Sequence, residues 1–172
     1  MIKERTVNKI YLVEHLIAAM RAEISELRRS FEQARETTVT APCRMQSRFD
    51  TKGVEAAWVA DGLARALKEK DRQIAELERF RPDNGNGKVA IGSVVELLHA
   101  EGGGREIYFI VPAGGGREIE SCRLVIKTVT STAPLGNAMI GKKDGEEVVI
   151  PIERPRTVIV KVLASKCHLL GD

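Results

Sequence analysis

The stretch IYLVEHLIAAMRAEISELRRSFEQA, residues 10–34, decides the fold of this chain. Its apolar residues recur at Ile10, Val13, Ile17, Met20, Ile24, Leu27, Phe31 and Ala34. Steps of three and four alternate, which is the heptad signature of a coiled-coil seam. A second stripe follows at Ala56, Ala60, Leu63, Leu67, Ile74 and Leu77, with Lys70 in the one place where an apolar residue is missing. The two stretches are alike in length and joined by a short connection, so they predict an antiparallel helical hairpin. Each helix, of about 28 residues, would reach roughly 40 Å at 1.5 Å rise per residue.

The first helix is predicted over residues 6–36. Its outer positions carry Glu14, Arg21, Glu23, Glu26, Arg28 and Arg29, a solvated charged surface. It is expected to end where Thr37, Thr38, Val39 and Thr40 gather, because β-branched residues lose rotamer freedom in a helix. Pro42 then closes the region to helix. Residues 37–53 form the expected tip, with Arg44, Arg48 and Lys52 against one acid, Asp50. Ser47, Asp50 and Thr51 are the candidate caps of the second helix, which is predicted to run to about Phe80.

Residues 81–87, Arg-Pro-Asp-Asn-Gly-Asn-Gly, are a breaker cluster. Beyond them the apolar period shifts from 3.5 towards 2. The expected domains are a coiled-coil finger over 1–81, a linker over 82–87 and a β-domain over 88–172. Strands are predicted at 93–100, 105–111, 121–130, 147–152 and 157–164. GGGREI occurs twice, at 102–107 and 114–119, and glycine turns at that spacing suggest a β-meander for the first three strands. Neither glycine run leads into a helix, so a phosphate-cradling loop is disfavoured. One short helix is expected between Ser131 or Thr132 as cap and Gly141 as stop, with Pro134 in its first turn. The fold class is α+β: an antiparallel helical hairpin, then a small antiparallel β-domain with one short helix.

The 172 residues carry 27 basic and 24 acidic side chains, a net charge of +3. That near-balance argues against a nucleic-acid surface driven by bulk charge. Cys43, Cys122 and Cys167 are odd in number and far apart, which favours neither a disulfide framework nor a zinc site. His15, His99 and His168 show no ligand spacing. No apolar run approaches the ~18 residues of a membrane span. The start, MIKERTVNKIY, lacks a signal-peptide apolar region. A cytoplasmic monomer without membrane contact is expected.

Residues 131–148, STAPLGNAMIGKKDGEEV, are similar to the C-terminal domain of the bacterial Gre transcript-cleavage factors, GreA and GreB. Upstream, VAIGSVV at 89–95 resembles that family's entry strand, and residues 157–163 resemble its last strand. The resemblance implies an FKBP-like β-domain behind a coiled-coil finger. It further implies a non-enzymatic factor that acts on RNA polymerase. The β-domain would dock at the rim of the secondary channel, through Thr132, Pro134, Leu135 and Gly136. The finger would enter the channel, and tip acids would help hold a second Mg²⁺ in the polymerase active site, so the nascent RNA 3′ end is an indirect partner. No intrinsic cofactor and no metal held by this chain alone are implied. Asp50 and Glu55 are the tip acids here.

The tip departs from the family pattern. An Asp and a Glu three residues apart are expected, but the position three after Asp50 is Gly53, and Glu55 stands five away. On one helix the two carboxylates would diverge by about 140°. Two polymerase-binding readings stay open. Asp50 and Glu55 assist cleavage, or Arg44, Arg48 and Lys52 face phosphates in a non-cleaving channel regulator. A prolyl isomerase or a coiled-coil module unrelated to polymerase are the other classes. The isomerase needs an aromatic pocket, and Tyr108 and Phe109, as neighbours on a strand, point to opposite faces. Trp58 reads as a packing anchor where the hairpin closes rather than as a stacking platform.

Overall fold

The computed structural model describes residues 7–40, 52–82, 87–99, 104–121, 123–150 and 156–163. The helices α1 (Lys9–Thr40) and α2 (Lys52–Arg79) come first. Strands β1 (Val94–His99), β2 (Arg105–Val111), β3 (Glu118–Ser121) and β4 (Leu124–Thr130) follow. The short helix α3 (Pro134–Met139) precedes β5 (Glu147–Ile150) and β6 (Arg156–Leu163). Two compact units result: Ala18–Ala75, and Met1–Ile17 together with Glu76–Asp172.

The first unit is the shaft of the helical hairpin. Met20, Ile24 and Ile74 are buried in its seam. Leu27, Phe31 and Ala34 on α1, with Ala60, Leu63 and Leu67 on α2, are half-buried along the same stripes. The gap in the α2 stripe is filled by an ion pair. Lys70 Nζ donates to Glu23 Oε2 at 2.6 Å, joining positions 47 apart in the chain. A polar pair in an apolar seam favours one register over its slipped alternatives. Lys70→Glu should therefore cost about 1 kcal/mol, the scale of a partly exposed pair, and Glu23→Lys added to it should restore most of the loss. Thermal denaturation of the two single variants and the double variant checks this. The outer surface is laced with pairs three or four residues apart, Arg29–Glu26, Arg35–Glu32, Arg65–Asp61 and Arg72–Glu69.

The helix ends differ from the sequence expectation. α1 starts at Lys9, because the Asn8 side-chain oxygen accepts the N–H groups of Ile10 and Tyr11 at 3.0 and 3.2 Å. That is an N-cap by a residue the reading passed over. α1 also continues to Thr40, through the run of threonines expected to stop it. Propensity is a weak prior, and a few tenths of a kcal/mol per residue do not end a helix.

In the second unit, Leu12 and Leu16 are fully buried beside Val13, while Ile10 is 38% exposed. The apolar face of α1 is therefore shifted at this end from the heptad stripe. The six-stranded sheet has the order β3-β4-β2-β1-β6-β5. All its pairings are antiparallel except β2 with β4, which is parallel, so the sheet is mixed rather than antiparallel. The expected meander is also corrected, since β3 pairs with β4 and not with β2. The second glycine run carries the chain across instead of turning it back. The buried Thr128 hydroxyl holds that crossing, accepting the Arg117 N–H at 3.0 Å and lying 3.1 Å from the Gly114 carbonyl.

The single strand expected over 121–130 is a hairpin in the structure. Ser121 pairs with Leu124, and Arg123 turns the chain at φ 63°. No Gly, Asn or Asp marks that turn in the sequence, which is why it read as strand. One face of the sheet carries Val95, Leu97, Ile110, Val129, Val148, Ile150, Val158 and Val160, with Met139 of α3 packed among them. Phe109, on the other face, is fully buried.

Candidate functional site

The loop into α3 is the better described of the two candidate regions. Ala133 donates its N–H to the Thr130 carbonyl at 3.1 Å, closing a turn directly after β4. Pro134 then opens the helix, where its missing N–H and fixed φ suit the first position. Neither Ser131 nor Thr132 caps it. Ala133 holds the cap position, and no side chain bonds to the free N–H groups. The Thr132 hydroxyl instead meets that of Thr130 at 3.2 Å.

Of the four expected docking residues, Thr132 and Pro134 are exposed. Leu135 is half-buried and packs on the apolar cluster of the sheet, so it is not a free knob on the loop. Gly136 is buried, and a Cβ there would lie 2.0 Å from the Thr130 carbonyl oxygen. Leu135 and Gly136 thus set the shape of the turn, while Thr132 and Pro134 face outward. A charge at Leu135 would disturb the core together with any docking. Thr132 and Pro134 are the cleaner positions for substitution.

The same sheet face carries a polar cluster near β3. Glu106 takes a hydrogen bond from Lys127 Nζ at 2.7 Å and one from the Tyr108 hydroxyl at 3.1 Å. The bond to Glu106 holds the Lys127 ammonium above its ordinary pKa. Burial, with the nearby Glu106 charge, raises that of the Tyr108 phenol. Tyr108 is bound to Glu106 and Phe109 is fully buried, so neither presents a free aromatic wall of the kind an isomerase pocket needs.

At the tip, Asp50, Arg44 and Arg48 lie outside the described residues. Lys52 is the first residue of α2, and its side chain lies outside them as well. Gly53 falls within the first turn of α2, and Glu55, in that same turn, is exposed. Among the described residues, no group of three His, Cys, Asp or Glu side chains is placed to hold a metal ion. No helix is long and apolar enough to cross a membrane, again among the described residues.

Trp58 overturns its sequence reading. It is 73% exposed, so among the described residues it anchors no packing. The signal was present in the helical phase. At 100° per residue, Trp58 stands about 150° from the mean direction of the seam positions between Ala60 and Leu77.

Residues 84–166 match the family model described as transcription elongation factor, GreA/GreB, C-terminal. No curated protein matches the chain. Among solved structures, the GreA factor homolog 1 (Gfh1) of Thermus thermophilus is similar at 18% identity, over 86% of this chain and 92% of that one, with a TM-score of 0.34. A second structure, of the transcription factor Gfh1, is 18% identical over 94% of this chain and 99% of that one, with a TM-score of 0.38. The prokaryotic elongation factor GreA/GreB of Nitrosomonas europaea is 19% identical over 68% and 93%, with a TM-score of 0.32. Residues 84–166 are therefore a C-terminal domain of the GreA/GreB type, and the chain that carries it is Gre-like.

Proposed function

We propose that this protein binds RNA polymerase as a Gre-type elongation factor. The β-domain docks at the rim of the secondary channel, with Thr132 and Pro134 on the docking face, and the helical hairpin enters the channel. One observation carries the reading: a helical hairpin directly precedes a GreA/GreB C-terminal domain in the chain. Its helices, of 32 and 28 residues, are about 48 and 42 Å long at 1.5 Å per residue.

Cleavage of backtracked RNA would need tip carboxylates directed at the Mg²⁺ of the polymerase, because hard cations take oxygen ligands and activate water. The donor set here does not match the family spacing, since Gly53 occupies the place of the second acid. This favours a second reading within the first. In it the protein occupies the channel without stimulating cleavage, and Arg44, Arg48 and Lys52 lie towards phosphates.

Two measurements test these readings. Core RNA polymerase should retain the wild-type protein in a pull-down, and failure there removes the polymerase reading altogether. A stalled, backtracked complex then separates the two forms. If the wild type stimulates cleavage, Asp50→Asn should abolish it without weakening retention, because shape is kept and charge is lost. If it does not, neutralising Arg44, Arg48 and Lys52 together should weaken its effect on transcription. An effect that survives both sets of substitutions rules out both tip mechanisms.

A further inference from the structure

We infer that the lysine pair Lys88 and Lys143 is a docking surface for acidic side chains, aspartate or glutamate, on the polymerase wall that receives the β-domain. The inference rests on the polymerase reading above and adds one contact to it. The two lysines face each other across an isolated antiparallel bridge. Backbone bonds hold the two segments together: the Val89 N–H donates to the Lys142 carbonyl at 2.8 Å, and the Gly141 N–H to the Val89 carbonyl at 2.8 Å. Val89 is buried in the apolar cluster of the sheet, so its neighbour Lys88 points the other way. Lys143 lies on the same side as Lys88, because residues directly opposite in a pair share a face. Both are exposed. Like charges held directly opposite each other are destabilising.

The surroundings select the charge of the partner. Among the described residues, neither ammonium group has a hydrogen-bond or ion-pair partner. The turn after Lys142 holds two acids, and both are engaged elsewhere. Glu146 Oε2 lies 3.9 Å from Lys142 Nζ, and Asp144 Oδ1 accepts the Val162 N–H at 2.8 Å. An anion between Lys88 and Lys143 turns their repulsion into two attractions. Apolar surface accompanies the charge, since Ile91 and Ile140 are 39% and 37% exposed and stand three residues in sequence from Lys88 and Lys143. Isoleucines beside the cations favour a protein carboxylate over a nucleic-acid phosphate, and the near-balanced charge of the whole chain points the same way. The place fits as well. In the chain, only α3, six residues and about 9 Å long, and the few residues after it separate Thr132 and Pro134 from this segment. An ordinary protein interface covers about 800 Å² on each partner, wide enough to span both.

The test measures the affinity of core RNA polymerase, free of nucleic acid, for the intact wild type and four variants. They are Lys143→Gln, Lys88→Gln with Lys143→Gln, Lys88→Glu with Lys143→Glu, and the control Arg123→Gln at the exposed β3–β4 turn. Lys143→Gln should weaken binding about threefold and the double Gln variant roughly tenfold, the scale of rim ion pairs. The double Glu variant should lose more, because like charges then meet across the interface. Arg123→Gln should stay within about twofold of the wild type. The difference between wild type and the double Gln variant should shrink at high salt. The double Gln variant should melt at or above the wild type, since it relieves a repulsion. Wild-type affinity in the double Gln variant overturns the inference and leaves the polymerase reading intact. A loss in Arg123→Gln equal to that in Lys143→Gln also overturns it, since overall charge would then suffice. A lowered melting temperature in the double Gln variant overturns it too, by showing that the lysines have partners within the chain. A loss seen only in complexes that hold nucleic acid would assign the pair to phosphates instead. If the wild type itself does not bind polymerase, the inference falls with the reading it rests on.

Discussion

Gly136→Ala is expected to destabilise the β-domain by about 3 kcal/mol or more, the upper end of overpacking effects. The added methyl would sit 2.0 Å from the Thr130 carbonyl oxygen and 2.9 Å from its carbon. Both are backbone atoms, so no side chain can rotate away. Either α3 or the end of β4 must move. Close-packed interiors yield little, and Met139, at the far end of α3, is fully buried in the apolar cluster. Urea denaturation of the intact chain measures the loss. Asn137→Ala, on the exposed side of the same helix, is the control and should change stability by less than about 0.5 kcal/mol. A Gly136→Ala protein as stable as the control would mean that the turn relaxes without cost.

The second large effect belongs to the hairpin. Ile24→Asp should cost about 3 kcal/mol or more, because it removes a buried aliphatic group and puts a charge in the apolar seam. Ile24 is 6% exposed, and Ile74 of α2, 8% exposed, lines the same groove. Leu67→Asp should cost less, since Leu67 is only half-buried and its charge can reach water. Loss of helical circular dichroism with denaturant, compared across the two variants and the wild type, gives the order. Equal midpoints for Ile24→Asp and Leu67→Asp would contradict the burial gradient along the seam.

Much of the architecture was legible because two periodicities are local properties of a chain. The 3–4 spacing gave both long helices and most of their seam. The period-2 runs placed β1, β2, β5 and β6 within about two residues, and Pro134 with Gly141 bracketed α3. The missed element boundaries share one cause. Asn8 as a cap, the run of α1 through Thr40 and the turn at Arg123 are local choices between states that differ by a kcal/mol or less. Residue type alone does not decide preferences of that size.

Trp58 shows a different kind of failure. Its helical phase already pointed away from the seam, but the residue type suggested burial, and the reading followed type over phase. Leu135 is the converse. A leucine in a polar loop looks like a surface knob, and its contact with the sheet core was invisible until the fold placed α3 on that face.

The sequence by itself determined that this chain makes a helical hairpin followed by a β-domain of GreA/GreB resemblance, because hydrophobic period, breaker residues and motif are all written within short windows. Only the tertiary structure decided the parallel β2–β4 pairing, the close approach that forbids a side chain at Gly136, and which candidate residues face outward. Those depend on neighbours distant in sequence. Strand order is set by the free energy of the whole assembled sheet, and no short window of the chain contains that quantity.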